Sequence, residues 1–568
     1  MRIWTLLFLV SCASVNRVPS QYDELRDSRG VRPEYRGILQ SYNRLSRDER
    51  QRLVRLTTRD FGGDNPLLPL PRVLSGDEAF TLRRGVEQRA DALRLFLKDY
   101  YSGRREYAKA GVFPEGFLQK VLQRSFDVGM MGELDPDQIA FFYGPDIIRD
   151  AQGQFRVIED NPGFVGGLGD LQIAKEIYEK RFPEVIAQVP ESPDPKRFYD
   201  DVMNRFRARA VPKDGKIVFL RYPHSFQADQ EAKRLEQIMR GYGAETVVIP
   251  QPGRTYAKQL EVRSDGLYLK SGRGPAERVG FVVIEGEAFD VDPSFKGYEL
   301  RFLVEEAQAH REDVVAGLYP MDDQEKWLQQ LDGLIEQATS QPSTDTKQRL
   351  KRFLKQKSPI LVSESKDYGI PGFWKLVHQG KVAASTAPGI DFLGDKEFYI
   401  FVEDLIRFYL REEPLIRNLE TESLLGKVGR GRSVDESRLD ELLKDRKKWV
   451  FKKVDGRGGS EVWVGPKIST KELKNLRELM LKEPEQFIVQ QYTQLSQLDK
   501  YLVDLRLLTA LDANGAVVSE IPWGRAKPIS GNGKVNLSDG GAETLVLIRS
   551  RQLIQFKCNQ AVGSFTRR

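Results

Sequence analysis

Apolar positions along this chain change period several times, and the changes divide it into regions. Residues 20–60 are polar and arginine-rich and read as a linker running into a charged helix. Over 76–125 apolar residues recur at helical spacing, as at Leu93, Phe96, Leu97 and Tyr100, so 31–134 is expected to be mostly helical. A β-α-β unit follows at 214–250. Its strands are Ile217–Leu220 and Thr246–Ile249, and its helix, Ala228–Arg240, stops at Gly241-Tyr-Gly243. Residues 260–270 read as a hairpin and Val279–Ile284 as a buried strand. Residues 299–357 are charged and helix-like, broken at Gln341-Pro-Ser-Thr, and short β segments with glycines return from 366. Around Asp512-Ala-Asn-Gly515, residues 501–520 read as one two-stranded hairpin.

Composition narrows the chemistry. The 568 residues carry 88 Lys and Arg against 82 Asp and Glu, a net charge of +6, too slight to imply nucleic acid. Three scattered histidines and two cysteines supply neither an imidazole or thiolate metal site nor a disulfide framework. Carboxylates, lysines and glycines are plentiful, which suits phosphate and hard-metal chemistry.

The start has its own texture. One Arg precedes the apolar run Trp4–Val10, which is shorter than the ~20 residues that span a bilayer, so it reads as a secretory signal. Leu9-Val10-Ser11-Cys12 resembles a bacterial lipobox, with Cys12 as the lipidated residue. The expectation is a protein lipid-anchored in a bacterial cell envelope, outside the cytoplasm; if the apolar start is not a signal, the protein is cytoplasmic. Incorporation of labelled lipid at Cys12 tests it.

Two segments carry the strongest chemical signal. In residues 144–163 two β-like runs flank Ala151-Gln-Gly-Gln154. If Asp150 pairs with Phe155, Asp146 falls opposite Glu159, with Cβ atoms about 5 Å apart and like charges in conflict. A divalent cation between them removes the conflict, and Asn161 adds a neutral oxygen on the same face. In residues 451–465 a strand ends near Lys452, Gly456, Gly458 and Gly459 form a glycine tip, and Val462–Val464 returns. Backbone amides at such a tip can approach phosphate oxygens, and Lys452 can supply a point charge. Further on, Asp504 and Arg506 share one strand face, and residues 521–528 add Arg525 and Lys527.

Taken together and in this order, the segments resemble the circularly permuted ATP-grasp family. Asp146…Glu159-Asp-Asn161 is similar to the family's metal hairpin, but it precedes the nucleotide lobe instead of following it. Gly394-Asp395-Lys396 is similar to its Asp-Lys motif, Lys452 to its second nucleotide lysine, and Gly456–Gly459 to its phosphate-covering loop. Gln490-Gln491 falls at the adenine hinge, with Gln491 where relatives carry Glu, and Asp504-Leu-Arg506 matches Asp-Leu-Arg. Residues 536–541 match an Asn/Ser/Gly-Gly segment, and Glu285-Gly286 stands where relatives carry paired arginines.

The resemblance implies an α/β (α+β) chain, a circularly permuted ATP-grasp with a pre-ATP-grasp domain and added helical regions. The expected divisions are a signal peptide at 1–11, a linker at 12–30 and a helical region at 31–134. A metal-binding part at 135–210 and a pre-ATP-grasp-like domain at 211–299 come next. A helical insertion at 300–365, a nucleotide lobe at 366–550 and a tail at 551–568 complete the chain. The cofactors implied are ATP, on Lys396, Lys452, the glycine tip, Gln490 and Gln491, and Mg²⁺, on Asp146, Glu159 and Asn161. Arg506 and Arg525 are the implied catalytic cations. The activity implied is ATP-dependent joining of a small-molecule or peptide carboxylate to an amine through an acyl phosphate. Because ATP is scarce outside the cytoplasm, the competing class is a non-catalytic lipoprotein that keeps the fold as a binding or structural module. A phosphotransferase is a third class, distinguished by a stable phosphoester product.

Overall fold

A computed structural model describes residues 21–549, apart from 63–65, 126–134, 222–225, 250–258, 271–273, 287, 289–290, 293–297, 316–320, 322, 341–343, 358–368, 427–434, 455–460, 536 and 538–539. Cys12 and the glycine tip at Gly456, Gly458 and Gly459 therefore lie outside the described residues.

The carboxylate hairpin forms from Asp146–Arg149 and Phe155–Glu159. Its tip departs from the expected register. Asp150 does not pair with Phe155; Arg149 does, because the Asp150 carboxylate is drawn into the turn and accepts from the Gln152 and Gln154 amides at 3.0 and 2.9 Å. Gly153, at φ +82°, closes that turn. An irregularity at Ile158 then takes up one residue, and Asp146 lies opposite Glu159 after all.

This hairpin sits inside a mixed sheet in the order Arg417–Asn418, Phe155–Glu159, Asp146–Arg149, Tyr501–Arg506, Trp523–Pro528, Ala542–Thr544. Strands from the two ends of the sequence are thus direct neighbours. A four-stranded sheet faces its Glu159 end, in the order Thr421–Ser423, Phe487–Gln491, Trp449–Lys453, Val462–Val464. The outer side of this small sheet buries Phe451, Phe487 and Val489 against Leu439, Leu476 and Met480 of two helices.

The hairpin around Asp512–Gly515 forms, from Thr509–Asp512 and Gly515–Val518, but residues 501–506 are not part of its first strand. Tyr501–Arg506 is a strand of its own, the chain bends at the buried pair Leu507-Leu508, and Thr509–Asp512 joins a different sheet beside Ala140–Tyr143. Both segments are too apolar for the two strands to be told apart by pattern.

The β-α-β unit forms as read, with Lys216–Arg221, the helix Phe226–Gly241 and Glu245–Val248. Glu277–Ile284 pairs parallel with the first strand, and the hairpin Leu260–Arg263 with Gly266–Leu269 extends the sheet. Helices Tyr298–Val315, Gln324–Ser340 and Thr344–Lys357 enclose their own small core around Trp327, Leu331 and Leu350.

The region expected to be helical contains the helix Gly76–Tyr101, capped by Ser75 and Glu78, with Leu82, Val86, Leu93, Phe96 and Leu97 buried. It also contains an unforeseen strand, Arg72–Ser75, parallel to Val546–Arg549. Within the expected linker, residues 21–30 are docked. Glu24 is buried against Arg72 and Arg149, and the Glu24 amide donates to Gln497 O at 2.8 Å.

Candidate active site

Alternation along three neighbouring strands brings Asp146, Asp504, Arg506, Trp523 and Arg525 onto one face of the main sheet. Arg506 is directly opposite both Asp146 and Trp523, and Asp504 is opposite Arg525. Arg506 Nε donates to Asp146 Oδ1 at 2.8 Å, and Arg525 Nη2 lies 2.9 Å from Asp146 Oδ2. Arg525 also grips Asp504 with two bonds, at 2.9 and 2.8 Å. Burial alone would push the Asp146 carboxyl up; Arg506, then Arg525, hold it well below the usual carboxylate range. Both guanidinium groups approach the Trp523 ring, at 5.6 and 5.5 Å from its centroid. Lys527 is buried on the same face of the Trp523–Pro528 strand.

The facing small sheet supplies Lys452, and the turn between the short 3-10 helices Asp391–Gly394 and Phe398–Phe401 supplies Lys396. Lys452 Nζ donates to Ile158 O at 3.2 Å, using the carbonyl at the irregularity of the hairpin. Gln490 Nε2 donates to the same carbonyl at 3.2 Å. Lys396 Nζ lies 3.2 Å from Glu159 Oε1. Its neighbour Asp395 fixes that approach: it accepts from the Glu397 and Phe398 amides and pairs with Arg124 at 2.8 Å. Burial pushes the Lys452 ammonium down to about 8, with Glu159 opposing the shift and Lys396 adding to it.

These contacts alter one expectation. The Asp146–Glu159 conflict is already relieved by the protein, since Asp146 is held by two arginines and Glu159 by Lys396. Repulsion in the hairpin therefore gives no argument for a resident cation. Among the described residues no three His, Cys, Asp or Glu side chains are grouped to hold one. The all-oxygen donors Asp146, Glu159 and Asn161 do suit Mg²⁺, which takes one or two carboxylates and completes its shell with phosphates and water. Asn161 Nδ2 donates to Gly144 O at 3.0 Å, so its side-chain oxygen is the end not used there. Lys396, Lys452, Arg506 and Arg525 outnumber Asp146, Glu159 and Asp504, and that cationic excess fits a polyanion arriving with its own metal.

Gln491 is not brought into this cleft. It is paired with Trp449 on the small sheet, one residue out of phase with Gln490, and its exposed side chain lies on the opposite face. It lines a separate cleft of about 690 Å³ with Trp449, Tyr492 and Thr493.

Several contributors were not legible. Asp160, between Glu159 and Asn161, faces the core and receives two bonds from Arg89, at 2.7 and 2.6 Å, and one from Tyr143 at 2.5 Å. Beyond the hairpin, the run Gly163-Phe-Val-Gly-Gly-Leu-Gly169 passes between the Trp523 ring and the helix Phe226–Gly241. Three glycines in four residues were the available signal. A methyl on Gly169 would meet the Glu231 carbonyl at 2.3 Å. Gly169→Ala is expected to cost about 1–3 kcal/mol through overpacking, read from the urea midpoint. A midpoint unchanged from the parent chain would refute that contact.

With this geometry in place, the fold is that of a circularly permuted ATP-grasp protein. Residues 71–283 match the family described as a circularly permuted ATPgrasp, and residues 351–519 the one described as circularly permuted ATP-grasp type 2. The chain is similar to an uncharacterized protein of Mycobacterium leprae, 26% identical over 92% of this chain and 81% of that one. It is also similar to a Frankia alni protein carrying the provisional name glutamate–cysteine ligase 2-3, at 25% identity over 92% of this chain and 53% of that protein. Among solved structures, a glutathione synthetase-like effector from Globodera pallida aligns over 88% of this chain and 97% of its own, at 9% identity and a TM-score of 0.40.

Proposed function

We propose that this chain is an ATP-dependent carboxylate–amine ligase acting through an acyl phosphate. The observation that carries the reading is the convergence of Lys396, Lys452, Arg506 and Arg525 on the Asp146–Glu159 hairpin from far along the sequence. In phosphoryl transfer the protein contributes mainly position and charge. Lys452 and Lys396 hold the α- and β-phosphates, and Gln490 borders the nucleotide side of the cleft. Arg506 and Arg525 face the charge that develops on the transferred phosphoryl group. Asp146, Glu159 and Asn161 would hold Mg²⁺, which would supply further neutralisation of phosphate charge. The name of the Frankia relative makes L-glutamate and L-cysteine reasonable first probes for the acid and the amine.

The test is Mg-ATP binding by calorimetry to the full chain and to Glu159→Gln. Micromolar binding by the parent, weakened at least tenfold in the variant, is expected. No detectable binding by the parent sinks the ligase reading. Binding without ADP release in the presence of any acid and amine favours the non-catalytic module.

Affinity is expected to depend on pH through Lys452. Its pKa near 8 means that the ammonium is lost as pH rises past 8, and with it an attraction for phosphate. Mg-ATP affinity should fall severalfold between pH 7 and 9, and the fall should be absent in Lys452→Arg, whose charge does not titrate there. A flat profile in the parent would contradict this role.

A further inference from the structure

Glu231 lies on the helix Phe226–Gly241, outside the residues assigned above, and its side chain reaches the rim of the same cleft. Its Oε1 is fixed by the loop that follows the hairpin, accepting from Gly167 N at 2.6 Å and Gly169 N at 3.4 Å. Its other oxygen lies on the Gly166 side of the loop. A methyl built on Gly166 would sit 3.6 Å from Glu231 Oε2, 3.6 Å from Arg506 Nη1 and 3.8 Å from Trp523 Cη2. A carboxylate, a guanidinium and an aromatic edge therefore converge around one residue without a side chain.

We propose that Glu231 receives the ammonium group of the amine substrate beside Gly166 and takes the proton that the nitrogen must lose before it attacks. This deepens the ligase reading and rests on it. The nitrogen gives one proton to Glu231 Oε2. Its freed lone pair forms the C–N bond to the acyl-phosphate carbon. The C–O bond to phosphate breaks, and the second nitrogen proton leaves with the phosphate. The product is an amide, with Glu231 protonated until it returns its proton to water. The substrate class is a primary amine that is protonated in solution, such as the α-amino group of an amino acid.

The surroundings support this assignment. Arg234, on the same helix, is committed to Asp170, with Nε 2.7 Å from its carboxylate. Glu231 makes no salt bridge among the described residues. Glu543 is buried below, accepts from Trp523 Nε1 at 2.6 Å, and is raised well above the carboxylate range by burial and by Asp170. Tyr199 packs nearby, and its hydroxyl donates to Leu168 O. Burial, then the charge of Asp170, push Glu231 up to about 8, with the Gly167 amide and Arg234 opposing. A base in that range exchanges protons with an alkylammonium far more readily than an ordinary carboxylate does.

The experiment separates the amine step from activation of the acid. The full chain is given Mg-ATP and each of the twenty proteinogenic amino acids as the carboxylate. The acceptor is either hydroxylamine, which is unprotonated at neutral pH, or L-cysteine, glycine or L-alanine. In Glu231→Gln, amide formation with the ammonium acceptors should fall at least 100-fold, as expected for loss of a positioned base. Hydroxamate formation should fall far less. Glu231→Asp should recover part of the amide rate, and both variants should keep the parent's Mg-ATP affinity. Equal losses with both acceptors, or no loss with either, overturn the role of Glu231. No hydroxamate from any acid with the parent chain overturns the ligase reading itself, and this inference with it.

Discussion

Arg89→Met is expected to lower stability by about 3–5 kcal/mol, because it leaves Asp160 charged and unpaired in the core. Both side chains of the pair are 1% exposed, and the two bonds between them measure 2.7 and 2.6 Å. Water cannot replace the guanidinium there. Arg89 also donates to Asn418 at 2.8 Å, so it joins the helix Gly76–Tyr101 to the hairpin and to the strand beside it. The measurement is the first transition in urea. A second variant, Arg89→Met with Asp160→Leu, should regain part of the loss, because the stranded charge is then gone. A single-variant loss below 1 kcal/mol would refute this account. Since Asp160 stands between Glu159 and Asn161, Mg-ATP affinity should fall as well in Arg89→Met.

Lys452→Met is expected to move stability and binding in opposite directions. The ammonium is buried and its pKa lies near 8, below its ordinary value, so the folded state carries a penalty for protonating it at neutral pH. That penalty is fully present below pH 8 and disappears as pH rises past the unfolded value of about 10.4. Removing the charge should stabilise the chain by roughly 1–3 kcal/mol at pH 7. Mg-ATP turnover should fall about 10²–10³-fold, the usual loss when a preorganised charge at a transferring group is removed. A variant that is less stable yet still turns over ATP would contradict both halves.

How much of the site could be read in advance depended on whether each contact was local. Alternation within a strand set Asp504 and Arg506 on one face, a relation that needs only a period of two, whereas Asp146 opposite Glu159 followed from a tip pairing one residue off that the irregularity at Ile158 offsets. The irregularity at Ile158 was invisible, since nothing in Arg156-Val-Ile-Glu159 marks an extra residue. Without it, a hairpin whose tip pairs Arg149 with Phe155 would not have set Asp146 against Glu159. Gln491 was assigned to the cleft with Gln490 because the motif gave the place but not the phase of the strand. Arg89 sits in a helix rich in charge, and only the tertiary fold distinguishes it from its solvated neighbours. Glu231 reads equally as an exposed residue of an amphipathic helix. The strand Arg72–Ser75 is too short for any period, and its partner lies near residue 546.

The pairing of Asp146 with Arg506 spans 360 residues of sequence. During synthesis at 5–20 residues per second, the ribosome needs roughly 20 to 70 s to deliver the arginine after the aspartate. Throughout that interval Asp146 lacks both of its arginines, and its strand has an open edge where Tyr501–Arg506 will later dock. An unpaired strand edge of this kind makes a nascent chain prone to aggregate. Stop codons anywhere before the last two strands of the main sheet should therefore give aggregated product, with no soluble fragment that binds nucleotide.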